Sequence, residues 1–216
     1  VTAKAIRVSD GRFLADATPD GKKMLRDVVL SDAVRNLQTM QGQIAYALLY
    51  QRFKDGLVYS EKQFTEEANK VPSVAFEAYV KGLAAADSGE QNREGYFKNA
   101  IRIYAEEKAG KIYPDAALEL GHLYLEQRRF KEALDYFARI DTAEPSYAEA
   151  AFYSGLIYWR QADFEQALAV MRPLADDLGI TAVFNTLGAI SVHASRIDKK
   201  NKGRGSALMN EGLGYL

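Results

Sequence analysis

The sequence predicts a mainly α protein, a superhelix of stacked helical hairpins preceded by a small β-hairpin and one helix. Three observations predict it. A block recurs every 34 residues between Pro114 and Gly179: Gly121, Tyr124, Ala133 and Phe137 return as Gly155, Tyr158, Ala167 and Met171, and Phe130 and Leu134 as Phe164 and Leu168. A period of that length marks a repeated supersecondary unit that buries its apolar face against its neighbours. Apolar residues recur at helical spacing over 33–52 and again from Pro72 onward. The opening residues Val1–Val8 instead alternate, as a strand does, and run into Ser9-Asp10-Gly11-Arg12.

Taken in order, Asp10-Gly11 supplies the positive φ of a tight turn, and Phe13-Leu14-Ala15 begins a return strand. Pro19-Asp20-Gly21-Lys22 is a second turn. In the helix at 33–52, Val34, Leu37, Met40/Gln41, Ile44, Ala45, Leu48 and Leu49 share one face, and Asp32 suits its N-cap. Residues 53–70 are polar, with Gly56 and a charged run from Glu61 to Lys70, and are expected as a boundary. The expected division is 1–56 as a piece of an α/β domain, 57–72 as a linker, and 73–216 as repeats at 73–113, 114–147, 148–180 and 181–216. Pro72 and Ser73 start the first hairpin, Val74–Ala86 and Arg93–Lys108, in which Ala78, Gly82, Phe97 and Ala100 fit the pattern. About five extra residues are expected near Glu107–Ile112, because Gly82 precedes Gly121 by more than one period. The later pairs are Asp115–Glu126 with Phe130–Arg139, Tyr147–Gln161 with Phe164–Asp176, and Ala182–Arg196 with Ser206–Leu216. The last pair is separated by the basic stretch 198–205.

These residue types have a packing logic. Gly121 and Gly155 lack a Cβ, so a neighbouring helix can approach there, and Ala133 and Ala167 do the same on the second helix. Tyr124, Tyr158, Phe130, Phe164 and Phe137 fill the space between hairpins, each ring contributing about 2–3 kcal/mol when buried. Pro145 is expected to end a second helix.

Composition narrows the function classes. The 216 residues carry a net charge of -1, so no global field draws the chain to nucleic acid or to an anionic membrane. There is no cysteine, which removes disulfides, thiolate zinc sites and cysteine catalysis. No apolar run is long enough to span a bilayer. A chain that opens on Val1 in a strand and closes on a helix still running reads as cut at both ends, leaving an upstream signal or anchor open.

Leu120-Gly121-His122-Leu123-Tyr124 and Ala133-Leu134-Asp135-Tyr136-Phe137, followed by Pro145, resemble the tetratricopeptide repeat over roughly residues 73–216. Ser154 departs from the family's usual Leu, and the last copy carries the basic insertion. Residues 1–52, with Arg7-Val8-Ser9-Asp10-Gly11 and Leu37-Gln38-Thr39-Met40-Gln41, look like the end of a TolB-like domain of bacterial multidomain proteins. That resemblance implies a bacterial cytoplasmic or periplasmic protein.

The repeat resemblance implies a groove lined by the first helix of each pair. By position it holds Asp115, Leu118, His122, Leu125 and Glu126, then Glu149, Phe152, Leu156, Trp159 and Arg160, then Asn185, Ala189, Val192 and His193. Trp159 and Phe152 are the expected aromatic anchors, against the alternative that they pack on neighbouring repeats. The Lys and Asn of the family's carboxylate clamp are replaced by Leu118, His122, Tyr153, Ala182 and Thr186, so chaperone tails are not the expected ligand. His122 and His193 stand in separate repeats without acidic companions, and no metal or cofactor is expected. The basic cluster Arg196, Lys199, Lys200, Lys202 and Arg204 lacks interleaved aromatics and reads as a solvated loop, not a nucleic-acid site. Gly203-Arg204-Gly205-Ser206 lacks the spacing of a phosphate loop, and no catalytic set stands out. The expected function is a non-catalytic scaffold for a protein or peptide partner. The alternative is a regulatory segment of a larger signalling enzyme.

Overall fold

The computed structural model describes residues 2–3, 16–17, 24–25, 28–29, 32, 36–53, 56–88, 92–178, 180–197 and 202–215. Among these are ten α-helices and four two-residue strands. The chain divides into two compact units, one up to Lys111 and one from Ile112.

In the first unit, β1 (Thr2–Ala3) pairs antiparallel with β4 (Val28–Val29), with Thr2 opposite Val29. β2 (Asp16–Ala17) pairs with β3 (Met24–Leu25), with Asp16 opposite Leu25. The turns expected at Ser9–Arg12 and Pro19–Lys22, and the return strand at Phe13–Ala15, lie outside the described residues.

Helix α1 (Leu37–Phe53) pairs with α2 (Glu61–Ala68). The stretch 57–72, expected as a linker, thus carries a helix. A capping box starts it: the Gln63 N–H donates to Ser60 Oγ and the Ser60 N–H donates to Gln63 Oε1, satisfying donors the first turn leaves free. Its backbone comes against α1 at Gly42, where a Cβ would lie 2.7 Å from the Phe64 carbonyl oxygen. Buried Gln38 donates from Nε2 to the carbonyls of Ala68 (2.9 Å) and Val71 (3.0 Å), which closes the end of α2. Helices α3 (Ser73–Ser88) and α4 (Arg93–Glu107) form the next hairpin, with Ala78, Phe97 and Ala100 buried as expected. After α4 the added residues form a turn with Ala109 and Gly110 at positive φ.

The second unit holds three hairpins: α5 (Pro114–Glu126) with α6 (Phe130–Phe137), α7 (Tyr147–Arg160) with α8 (Phe164–Leu178), and α9 (Thr181–Ile197) with α10 (Lys202–Tyr215). Consecutive hairpins meet through α5 and α7, α6 and α7, and α8 and α9. Leu120, Tyr124, Ala133 and Phe137 are buried in the first hairpin. Met171, Leu174, Leu187, Ile190 and Leu208 belong to one apolar cluster across the last two. A Cβ on Gly121 would lie 2.6 Å from Phe137 Cδ1, and one on Gly155 would lie 2.7 Å from Met171 Cε. The missing Cβ therefore admits a side chain from the partner helix of the same hairpin.

The period extends to the backbone. Arg128 (φ 60°) and Ala162 (φ 61°), one repeat apart, both take the left-handed conformation after a first helix. The next residue closes the cap each time, Arg129 N–H to Tyr124 O at 2.8 Å and Asp163 N–H to Tyr158 O at 2.9 Å. Two expectations shift. Pro145 does not end α6, which stops at Phe137; it stands directly before Ser146, the N-cap of α7. Helix α10 begins at Lys202 instead of Ser206, and Arg204 reaches Glu165 on α8 (2.6 Å), so part of the basic stretch is docked helix instead of solvated loop.

Candidate functional site

The first helices α5, α7 and α9 bring Leu125, Trp159 and His193 to the border of one cleft. The Trp159 indole N–H donates to His193 Nδ1 at 3.1 Å. Phe164 meets the same imidazole edge-on at 5.1 Å between ring centroids. The cleft has a volume of about 710 Å³. Leu156, Ile157, Tyr153 and Phe130 give it apolar walls, and Glu126, Arg128 and Arg160 bring charge to it. The Arg160 guanidinium lies over the Phe130 ring, 5.5 Å from its centroid.

Six of the expected groove residues meet here: Leu125, Glu126, Leu156, Trp159, Arg160 and His193. Leu118 is instead a buried core residue of α5. His122 is wedged between Phe137 (5.8 Å) and Tyr153 (4.5 Å), with Nε2 3.5 Å from Glu149 Oε1, and so braces α5 against α7. Phe152 is half-buried against the apolar cluster beneath α7 and edge-on to Tyr153. Trp159 too is half-buried on that cluster, with one edge on the cleft. Asn185 is exposed on the first turns of α9 and Ala189 is half-buried; neither lines the cleft. Ser146 Oγ donates to Asp115 Oδ1 at 2.7 Å and ties the starts of α7 and α5.

Spacing alone does not assign Arg128, Phe130 and Ile157 to the cleft, and it names Tyr153 only as the occupant of a carboxylate-clamp position. Phe130 was expected as packing, and Arg128 sits in the turn between paired helices, outside the first-helix pattern. The signal that was present is the period itself, since Leu125 and Trp159 stand one repeat apart and His193 lies one residue beyond the next equivalent, Val192.

Two smaller clefts lie between α8 and α10, lined in part by Arg204, Glu165, Arg172 and Glu211. Arg172 donates from Nε and Nη2 to both oxygens of Glu211 at 2.8 Å, and these bonds hold the carboxyl below the usual carboxylate range. Burial, with the Glu211 charge beside it, pushes the Tyr215 hydroxyl up. In the first unit a cleft of about 540 Å³ over α2 is lined by Tyr59, Gln63, Phe64, Glu66, Glu67 and Lys70. Among the described residues, no three His, Asp or Glu side chains group as a metal site. No helix among them is long and apolar enough to cross a membrane.

Two solved structures share the fold. A chain described as MamA 41-end from Desulfovibrio magneticus RS-1 is 16% identical with a TM-score of 0.51, covering 86% of this chain and 95% of its own. A MamA RS-1 ArsTM double mutant is 18% identical with a TM-score of 0.50, covering 86% of this chain and 96% of its own. MamA contains tetratricopeptide repeats, and the helix pairs of this chain have that fold. The shared portion exceeds the two thirds of the chain that residues 73–216 represent, so it reaches upstream of α3. No family model matches the sequence, and no curated protein matches it.

Proposed function

We propose that the protein is a non-catalytic scaffold that docks a protein or peptide segment in the cleft along α5, α7 and α9. One observation carries the reading: the Trp159 indole is held by His193 at the edge of a cleft walled by Leu125, Leu156 and Phe130. A fixed aromatic beside apolar walls is the kind of group that dominates binding energy at interfaces. A partner's apolar side chain would be buried against Leu125, Leu156 and Trp159, while Glu126 and Arg160 set its register. The walls are side chains on preformed helices, so little ordering cost falls on this side of the interface. The regulatory-segment alternative has no structural observation in its favour. We keep 73–113, 114–147, 148–180 and 181–216 as the proposed repeat boundaries.

The test is selection of a random peptide display library on the whole chain, followed by affinity measurement for the enriched peptides. Trp159→Ala should weaken them by about tenfold to a hundredfold, as expected for loss of a hot spot. Trp159→Phe keeps the ring packed on the apolar cluster and removes only the N–H donor, which separates lost docking from lost packing. Peptides that bind Trp159→Ala as tightly as the parent chain would place the docking surface elsewhere.

A further inference from the structure

We infer that the occupant of this cleft is a segment pairing an apolar anchor with an acidic side chain, a conclusion that rests on the docking function proposed above. The inference comes from the two guanidiniums. Arg128 and Arg160 both line the cleft. Neither has a carboxylate within ion-pair distance among the described residues. Arg139 and Arg196 also have no ion pair among the described residues but do not line this cleft, whereas Arg102, Arg129, Arg172 and Arg204 are each paired with a glutamate of this chain: Glu106, Glu132, Glu211 and Glu165 respectively.

The two cations are also placed by the fold. Arg128 leaves the chain from the left-handed residue that closes α5, with its N–H bonded to the Leu125 carbonyl at 3.0 Å. Arg160 is the last residue of α7, and its guanidinium carbon lies 5.5 Å from the Phe130 ring centroid. The N–H edges of a guanidinium match a carboxylate's two oxygens. Each cation stands at a helix C-terminus, where the macrodipole favours positive charge and lowers the cost of leaving it without a counter-ion.

Glu126 also lines the cleft, so its two arginines and one carboxylate leave one net positive charge. That balance suits a carboxylate or two beside an apolar residue. A nucleic-acid strand, with a charge at every nucleotide, needs a broader basic face. The apolar residue would sit against Trp159 and Leu156, and the acidic one would bridge Arg128 and Arg160.

The experiment extends the display selection to Arg128→Gln and Arg160→Gln, singly and together, with circular dichroism melting to confirm folding. The expected result is a pool enriched in Asp or Glu beside aromatic or aliphatic residues. Its members should lose about tenfold in affinity on the double Arg→Gln variant and lose the same amount when their own carboxylates become amides. The two losses should not add when combined, and affinity should fall with salt only in the parent pairing. A pool that depends on Trp159 but has no acidic bias, or whose affinity survives Arg128→Gln/Arg160→Gln, overturns this inference and leaves the docking function standing. A pool indifferent to Trp159 removes both. Tighter capture of a short single-stranded oligonucleotide than of any peptide would also overturn it.

Discussion

Hairpins α5/α6 and α7/α8 achieve close helix contact differently from α9/α10. In the first two, a glycine on the leading helix receives a side chain from the trailing one, Phe137 over Gly121 and Met171 over Gly155. In the last, the backbones themselves meet: a Cβ on Gly212 of α10 would lie 2.9 Å from the Gly188 carbonyl oxygen of α9. The repeat therefore conserves a small residue at the crossing while changing what fills the space. The filler decides how much disturbance each crossing tolerates, because a ring, a thioether and a carbonyl differ in their freedom to move aside.

Alanine substitutions sharpen this ranking. Gly121→Ala should cost the most, about 3 kcal/mol, because Phe137 is backed by the rings of His122 and Tyr153 and has nowhere to go. Gly212→Ala follows at about 2 kcal/mol, since a main-chain carbonyl yields only if the two helices separate. Gly155→Ala should cost about 1 kcal/mol, because Met171 has three rotatable side-chain bonds and can repack. Urea unfolding monitored by circular dichroism gives all three values; equal losses would show that the filler does not matter.

A smaller effect separates α8/α10 from the rest. The Arg172–Glu211 bonds lower the folded pKa of Glu211, so their stabilising contribution is complete above the ordinary glutamate value of about 4.3. It disappears as pH falls through the lower folded value. The stability difference between the parent and Glu211→Gln should therefore be present near neutrality, at about 0.5 kcal/mol for so exposed a pair, and shrink in acid. A gap that widened on acidification would refute the assignment. A change of similar size is a gain. Ala162 bears the cost of a left-handed backbone without glycine's freedom, so Ala162→Gly should raise stability by about 0.5 kcal/mol net of the unfolded-chain entropy. A lowered melting temperature would contradict it.

The hairpins were legible because packing constraints recur. Gly121, Phe137, Gly155 and Met171 each answer the same crossing, so one period exposes them all. Helix α2 was not legible, since a short polar segment from Glu61 to Ala68 has few apolar residues to display a period. Its capping pair Ser60 and Gln63 was the usable signal. The cleft was half legible. Leu125, Trp159 and His193 follow the first-helix pattern, but Arg128 depends on the turn that closes α5, a feature local to the backbone. Phe152 and Leu118 share helices with cleft residues yet face the core, because a helix face that borders two neighbours is divided between packing and exposure.

Trp159 is the chain's sole tryptophan. Its indole fluorescence therefore arises wholly within the second unit, at the cleft edge and in hydrogen-bonded contact with an imidazole. Emission on titrating a candidate ligand reports occupancy without any attached dye. The same signal followed against denaturant reads the loosening of α7 from α9, while far-ultraviolet dichroism averages every helix, so the two traces together resolve whether both halves of the chain lose order at once.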